Sequence, residues 1–192
     1  MEQPLLFIMV FGYLILQMLW FLMDNRSINE KIKFYIFLKG NTCSRIIIIG
    51  LAGFLFVKYI DPNWKFSLSF YFHNINDLFL ISGFVLYLSG IALCIWARSA
   101  MRNVWTPAED KSIRHKKELI TWGPFAFTRN PIYLGLLMIY SGLFISMKSY
   151  LIIIVLFIIR LFYKEALEEE KALEKDFGSD YLKFKSKVRR FI

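Results

Sequence analysis

The chain contains little cysteine or histidine. Cysteines form disulfides, and both residue types are common metal ligands. Its 192 residues include two cysteines and two histidines. Cys43 and Cys94 form no CxxC pair, and no metal-ligand pattern surrounds His73 or His115. The sequence therefore predicts neither a disulfide framework nor a metal site.

Acidic residues are scarce relative to basic ones. Lys and Arg number 24 against 15 Asp and Glu, which gives a formal net charge of +9. No basic stripe with a nucleic-acid fold signature is present, so we predict no nucleic-acid partner. The N-terminus also lacks a basic segment and a small-residue cleavage site, which argues for a membrane helix rather than a removed signal peptide.

Apolar residues are abundant: 57% of the chain is hydrophobic and 18% is aromatic. This composition is too apolar for an ordinary soluble domain and indicates an integral membrane protein. Basic residues cluster between apolar runs, as the positive-inside rule requires. Five apolar runs are candidates for membrane-spanning helices, at residues 5–23, 46–60, 78–97, 131–147 and 150–163.

These runs predict an all-α bundle of five transmembrane helices in one domain, residues 1–192. Residues 1–98 hold the first three spans, and residues 99–192 hold a long polar connector, a helical hairpin and the tail. The hairpin joins the last two spans, and a charged amphipathic extension follows Arg160 on the cytosolic side. Charge distribution and span count together predict an N-terminus outside and a C-terminus in the cytosol. The isoleucine- and lysine-rich composition suggests a bacterial cytoplasmic membrane.

Small residues recur at heptad spacing in two predicted spans and predict close helix packing. One set lies in the third span and the other in the fourth. They are Ser82, Gly83, Ser89 and Gly90, and Gly135 and Gly142.

The segment LITWGPFAFTRNPIYLG, residues 119–135, is a polar turn that leads into the fourth span. Asn130 suits a helix N-cap and Pro131 suits the first helical position, so a helix should begin at Pro131. Unpaired backbone N–H groups there, together with Arg129, form a site for a small anion such as a carboxylate. The alternative is an ordinary helix cap at the membrane surface, with Arg129 touching lipid phosphate.

The charged extension offers a second polar element beside this turn. Tyr133, in the first turn of the fourth span, would face the cleft between them. Glu169 has no opposite charge at i,i+4 within its helix, whereas Glu168 follows Lys164 at that spacing. Glu169 is therefore a candidate to accept hydrogen bonds from sugar hydroxyls or an ammonium group. The alternative is a solvated charged helix.

Three motifs occur in order: ELITWGPFAFTRNPIYLG, the pair Glu169-Glu170 followed by Leu173, and FGSDYLKFKSKVRRFI. They resemble LVTxGPYxxxRHPxYxG, EExxL and FGxxYxxYxxxVxRFI, the pattern of the isoprenylcysteine carboxyl methyltransferase family and its relatives among the phospholipid methyltransferases. The resemblance covers residues 96–192. It implies a membrane methyltransferase that uses S-adenosylmethionine and methylates a lipophilic acceptor reaching the site from the bilayer. In the prenylcysteine enzymes that acceptor is a carboxylate, which makes the reaction an O-methylation. The sequence itself leaves a prenylcysteine, an amine headgroup and a small thiol open as acceptors.

The resemblance also implies site residues. Those implied for the cofactor are Lys117, Glu118, Leu119, Ile120, Phe125, Asn130, Pro131, Ile132, Tyr133 and Glu169. Substrate contacts fall at Lys164 and Glu165. Since the sulfonium is already an activated donor, catalysis is mainly alignment, and we assign that positioning to Arg129 and Tyr133.

Two features depart from the family pattern, and two other functions stay open. Asn130 replaces the family's usual histidine, and Glu165 stands near the position of an arginine that holds the prenylcysteine carboxylate. The first alternative is an NADPH-dependent membrane reductase of the steroid-reductase type, which has a similar RxPxY turn but resembles GE or GW where Leu134 and Gly135 follow Tyr133. The second is a non-catalytic membrane scaffold.

Overall fold

The computed structural model describes residues 2–23, 77–101, 118–146 and 152–191. Within these ranges the chain is helical and contains no strand, which confirms the all-α prediction for this part of the protein. The predicted span at 46–60 and the candidate residue Lys117 lie outside the described residues. The chain divides into two compact units, Met1–Phe70 and Tyr71–Ile192.

Four α-helices and one 3₁₀ turn make up the described structure. Helix α1 belongs to the first unit, and the other elements belong to the second. The bounds are Glu2–Leu22 for α1, Asp77–Met101 for α2, Gly123–Ala126 for the 3₁₀ turn, Pro131–Ser146 for α3 and Ile153–Lys187 for α4.

Two predicted helix ends can be compared directly with these bounds. Helix α3 begins at Pro131, as the Asn-Pro pair predicted. Helix α2 continues to Met101, four residues past the predicted end at Ala97. Arg98, which follows the predicted span, is a buried residue of α2, and Ala100 and Met101 are buried after it. The last turn of α2 is therefore part of the packed core of the second unit.

Among the described residues, one helix is long and apolar enough to cross a membrane. It is Leu78–Met101, whose 24 residues span about 36 Å. Phe11–Trp20 and Pro131–Ser146 are shorter apolar helices. The arrangement of five spans stays a prediction.

Helices α2 and α3 pack in antiparallel fashion through glycines. A Cβ placed on Gly83 would lie 2.6 Å from the carbonyl oxygen of Gly142, and one on Gly90 would lie 2.6 Å from that of Gly135. The Ser146 hydroxyl also donates to the carbonyl of Leu80, at 3.3 Å. Such spacing leaves no room for side chains between the two backbones, so the predicted close packing is confirmed for the four glycines.

The serines of the same heptad pattern lie on another side of α2. Ser82 and Ser89 are exposed, and their hydroxyls donate to carbonyls of their own helix, at 3.1 Å to Phe79 and 2.8 Å to Val85. Adjacent residues in an α-helix differ by about 100° in direction. Only the glycine of each Ser-Gly pair can therefore face α3.

Helix α3 also meets α4, as the predicted hairpin requires. The ring of Tyr133, at the start of α3, lies 5.2 Å from that of Phe162, about ten residues into α4. The end of α3 and the start of α4 are separated by six residues. The two helices are therefore antiparallel, and their contact brings the start of α3 beside the charged half of α4.

Helix α4 carries the charged extension without interruption from the apolar segment and then breaks at Gly178. That residue has φ +50° and ψ −120°, a conformation that residues with a Cβ rarely adopt. Lys185 pairs with Glu174 at 3.1 Å, although eleven residues span about 16 Å in a straight helix. The chain therefore folds back at Gly178 and returns residues 185–190 toward the body of α4.

Candidate active site

The polar turn is anchored on the end of α2. Gly123 has φ +63°, and a Cβ placed there would lie 3.6 Å from the Trp96 indole nitrogen and 3.7 Å from Ala100. Pro124 is buried, and its carbonyl accepts hydrogen bonds from the backbone nitrogens of Phe127 and Thr128, both at 3.2 Å. The Gly-Pro pair thus closes a compact turn that presents residues 128–130 to the start of α3.

Asn130 occupies the cap position of α3. Its carbonyl accepts the first helical hydrogen bond, from the backbone nitrogen of Leu134 at 3.1 Å, which is the backbone pattern of an N-cap. Its side-chain amide donates to the carbonyl of Arg190 at 3.4 Å. Asn130 therefore begins the helix and also contacts the C-terminal tail, a second role that its sequence position did not reveal.

Tyr133 and Glu169 meet beside this cap. The Tyr133 hydroxyl donates to Oε1 of Glu169 at 3.2 Å, across a separation of 36 residues. Both residues are half-buried, and the Tyr133 ring packs on the ring of Phe162. Two residues selected separately from the sequence are thus in direct contact at the N-terminal end of a helix.

Glu170, the neighbour of Glu169, is held by two arginines. Arg190 binds it through two hydrogen bonds, Nε to Oε1 at 2.7 Å and Nη2 to Oε2 at 3.0 Å. Arg129 contributes Nη2 at 3.1 Å from Oε1. The Glu170 side chain is only 4% exposed, so the two guanidinium groups supply the compensation that a buried carboxylate needs.

These ion pairs control the charge state of the cluster. Burial by itself raises the pKa of the Glu170 carboxyl, but the Arg190 hydrogen bond and the charges of Arg129, Arg190 and Lys185 outweigh it, so the net pKa lies below the usual range. The hydrogen bond to Glu170 raises the pKa of Arg190. Burial, followed by the charge of Glu170, raises the pKa of the buried Tyr181 hydroxyl. Glu170 and Arg190 are therefore charged and Tyr181 is neutral near neutral pH.

The C-terminal tail, residues 188–191, lies against the turn before α3. The backbone nitrogen of Arg129 donates to the Arg189 carbonyl, and the Thr128 hydroxyl donates to the Arg190 carbonyl, both at 2.9 Å. The Arg129 side chain also donates through Nη1 to the carbonyls of Lys185, at 2.9 Å, and Val188, at 3.2 Å. Arg129 thus joins the turn, α4 and the tail.

The remaining predicted residues that the structure describes lie in the turn, at the start of α3 and on α4. In the turn, Glu118 is exposed and Leu119, Ile120 and Phe125 are half-buried. At the start of α3, Pro131 is buried and Ile132 is half-buried. On α4, Lys164 is exposed and Glu165 is half-buried, about one turn before Glu169. Asn130, Tyr133 and Glu169 contact this region through hydrogen bonds, and the cofactor, substrate and catalytic roles assigned to all of these residues stay predictions.

Sequence reasoning did not assign roles to Glu170, Arg190 or Thr128. The tail motif contained the signal, since FGSDYLKFKSKVRRFI includes Arg190 and the glycine at which α4 folds back. The motif also includes Tyr181 and Phe184, which are both buried. These residues belong to a segment that folds back onto the site, and only the tertiary structure shows this return.

The described residues contain no group of three His, Cys, Asp or Glu side chains that could hold a metal ion. The site is instead built from a helix N-terminus, a tyrosine, a carboxylate and a buried ion cluster. The pattern that defines the phospholipid methyltransferase family matches residues 78–180, more than half of the chain. The chain belongs to the phospholipid methyltransferase family. No curated protein matches it.

Family membership gives the activity a class. Phospholipid methyltransferases are membrane-associated, so this chain is a membrane methyltransferase. The match begins at residue 78, earlier than the resemblance at 96–192, and therefore takes in most of α2. Tyr133 and Glu169 both lie within the match, whereas residues 181–192, which include the C-terminal tail, lie outside it.

Proposed function

We propose that this methyltransferase uses S-adenosylmethionine and methylates a lipophilic acceptor at the Tyr133–Glu169 pair. Family members typically use this cofactor. The observation that carries the proposal is the 3.2 Å hydrogen bond between Tyr133 and Glu169 at the start of α3. It joins, in one place, residues that the family resemblance assigns to the cofactor from two separate motifs.

The groups at this place suit the chemistry of the cofactor. The first turn of α3 leaves backbone N–H groups without helical partners, and these favour a carboxylate such as that of the methionine portion. Glu169 is an acceptor for ribose hydroxyls or the ammonium group. In this proposal the segment 117–120 and Phe125 line the rest of the cofactor pocket.

When bound, the cofactor supplies a methyl group on a sulfonium. Held by Glu169 and the N-terminal end of α3, it would make this methyl group available to the acceptor nucleophile, so the main task of the protein would be alignment. Tyr133 fixes the orientation of the Glu169 carboxylate through its hydroxyl. Arg129 acts indirectly, because its guanidinium is bonded to Glu170 and to the carbonyls of Lys185 and Val188. We therefore assign Tyr133 to the reacting end and Arg129 to positioning.

A lipophilic acceptor is supported by the surface near the turn. Trp96, Trp122 and Phe127 are 49%, 50% and 75% exposed, and the rings of Trp96 and Phe127 lie 6.3 Å apart. Exposed aromatic groups at the end of an apolar helix are typical of a membrane interface. In this proposal the acceptor reaches the site from the bilayer of a bacterial cytoplasmic membrane, with the N-terminus outside and the C-terminus in the cytosol.

Two acceptor types fit this proposal to different degrees. A prenylcysteine carboxylate is the acceptor that the family resemblance implies, with Lys164 as its cationic contact. Glu165, half-buried one turn before Glu169, instead favours an amine headgroup, because it repels a carboxylate. The amine must be in its neutral form when its nitrogen accepts the methyl group. Arg129 and Arg190 both pair with Glu170, so neither supports a carboxylate acceptor directly.

Calorimetric titration of the purified full-length protein tests the cofactor. We expect saturable heat with S-adenosylhomocysteine and none with NADPH, because Glu169 pairs with hydroxyl or ammonium groups and would repel phosphates. The reverse result would show a reductase. Absence of binding with both ligands, from protein that unfolds cooperatively, would support a scaffold.

Isotope-labelled S-adenosylmethionine identifies the acceptor. We expect membranes incubated with the labelled donor and the protein to yield labelled lipid by mass spectrometry, with the label on an amine headgroup if Glu165 sets the choice. Label on a prenylcysteine ester would assign the carboxylate reaction instead. A label that appears only in water-soluble products would contradict a lipophilic acceptor.

A further inference from the structure

The two neighbouring carboxylates of α4 are joined to the same short segment of chain. Glu169 accepts from Tyr133 at 3.2 Å, and Glu170 pairs with Arg129 at 3.1 Å. Since adjacent helical residues point about 100° apart, two such contacts on one segment determine which way α4 is turned about its axis. A rotation that moved Glu170 away from Arg129 would also move Glu169 away from Tyr133.

The Glu170 contact is the more strongly built of the two. Glu170 is almost completely buried and receives three bonds from two arginines, whereas Glu169 is half-buried and accepts a hydrogen bond from Tyr133. A bidentate guanidinium–carboxylate pair is stronger and more directional than a single hydrogen bond from a hydroxyl. The orientation of α4 is therefore set at Glu170 and transmitted to Glu169.

The tail completes this arrangement by holding Arg190 in place. Gly178 folds the chain back, and the Arg190 carbonyl accepts bonds from Thr128 at 2.9 Å and Asn130 at 3.4 Å. The Arg190 guanidinium also lies over the ring of Tyr163, 4.7 Å from its centre. The backbone and the side chain of Arg190 thus bridge the turn before α3 to two points on α4.

We propose that Glu170, Arg129 and Arg190 form a positioning cluster that holds Glu169 against Tyr133. Its effect on cofactor affinity rests on the function proposed above, whereas its effect on the Tyr133–Glu169 contact does not. Glu170 in this role does not touch the cofactor. It acts through Glu169. Its loss therefore changes the Tyr133–Glu169 contact, which a general loss of stability would not do selectively.

The contact itself is tested without any ligand. Fluorotyrosine is incorporated at position 133 of the full chain, and its ¹⁹F resonance is recorded with and without Glu169→Ala, which removes the acceptor oxygens, to define the signal of the broken contact. We expect Arg190→Ala to move the resonance toward that signal. Arg190→Lys keeps the charge but loses the bidentate geometry, so we expect it to move the resonance part of the way. Arg189→Ala is the matched control, because Arg189 is exposed and the charge change is identical.

An unchanged resonance in both Arg190 variants would overturn the proposal. So would an equal change in Arg189→Ala, since that would reflect net charge alone. If Arg190→Ala fails to fold, Arg190→Lys and Glu170→Gln decide the question by the same comparison. This test gives its answer even if the protein binds no S-adenosylhomocysteine, a result that would count against the proposed function and not against the cluster.

The transmission to Glu169 is tested with S-adenosylhomocysteine as the probe. We expect Glu170→Gln to weaken its binding about tenfold, and to cause no further loss when Glu169 is already glutamine, because residues that act in series are not additive. A tenfold loss in both backgrounds would show that Glu170 supports the fold generally, and no loss in either would show that it does not affect the site. Either of these results would refute its action through Glu169.

Discussion

Replacing Glu169 with glutamine is expected to weaken binding of S-adenosylhomocysteine by about 10- to 100-fold, which corresponds to the loss of one hydrogen bond to a charged group. Glutamine keeps the shape of the side chain and one acceptor oxygen for Tyr133. It removes the negative charge that attracts an ammonium group and one of the two oxygens available to ribose hydroxyls. Calorimetric titration at fixed salt measures the change.

Asp180→Asn provides the control for this substitution. It makes the same chemical change in α4, but Asp180 is exposed and pairs with Lys183 on the surface, so we expect its affinity to equal that of the wild type. Tyr133→Phe should lie between the two, because it removes the hydroxyl that orients Glu169 and leaves the carboxylate. Wild-type affinity in Glu169→Gln would exclude this carboxylate from the cofactor site.

Replacing Gly142 with alanine is expected to destabilise the second unit by about 1–3 kcal/mol or more. The new Cβ would lie 2.5 Å from the Gly83 carbonyl oxygen and 2.6 Å from the Tyr87 nitrogen. Both are backbone atoms of α2, so no side chain can rotate to make room and the helices must separate. For a chain of this size the loss lowers the thermal unfolding midpoint by on the order of 5–10 °C.

Ser89→Ala is the matched control for helix packing. Ser89 lies in the same small-residue pattern, but it is exposed and its hydroxyl bonds only within α2. We expect its midpoint to change by no more than about 2 °C, as for most surface substitutions. Equal midpoints for Gly142→Ala and the wild type would mean that α2 and α3 do not pack through this glycine.

Local chemistry made several features predictable. The start of α3 followed from the Asn-Pro pair, since a cap residue and a proline at the first helical position act within one turn. The glycine contacts followed from heptad spacing, which places Gly83 and Gly90 on the same side of α2. The role of the paired serines did not follow, because spacing alone cannot say which of two adjacent positions meets the neighbouring helix.

The ion cluster was less accessible to prediction for a related reason. Arg129 and Glu170 are 41 positions apart in the chain, and Glu170 and Arg190 are 20 apart. The sequence contains 24 basic and 15 acidic residues, and many pairings among them are chemically equivalent. The residue four positions after Glu170 is Glu174, a like charge, whereas the fold supplies two arginines from outside its helix.

The amino-acid sequence by itself determined the helical class of the described segments and where α3 starts, and it predicted an anion site at the N-terminal end of that helix. These depend on propensity, periodicity and capping, which act over a few residues. The tertiary structure decided that Glu169 meets Tyr133 while Glu170 meets two arginines. That choice depends on how α4 is rotated and on where the chain folds back at Gly178, and both are set by contacts between segments far apart in the chain.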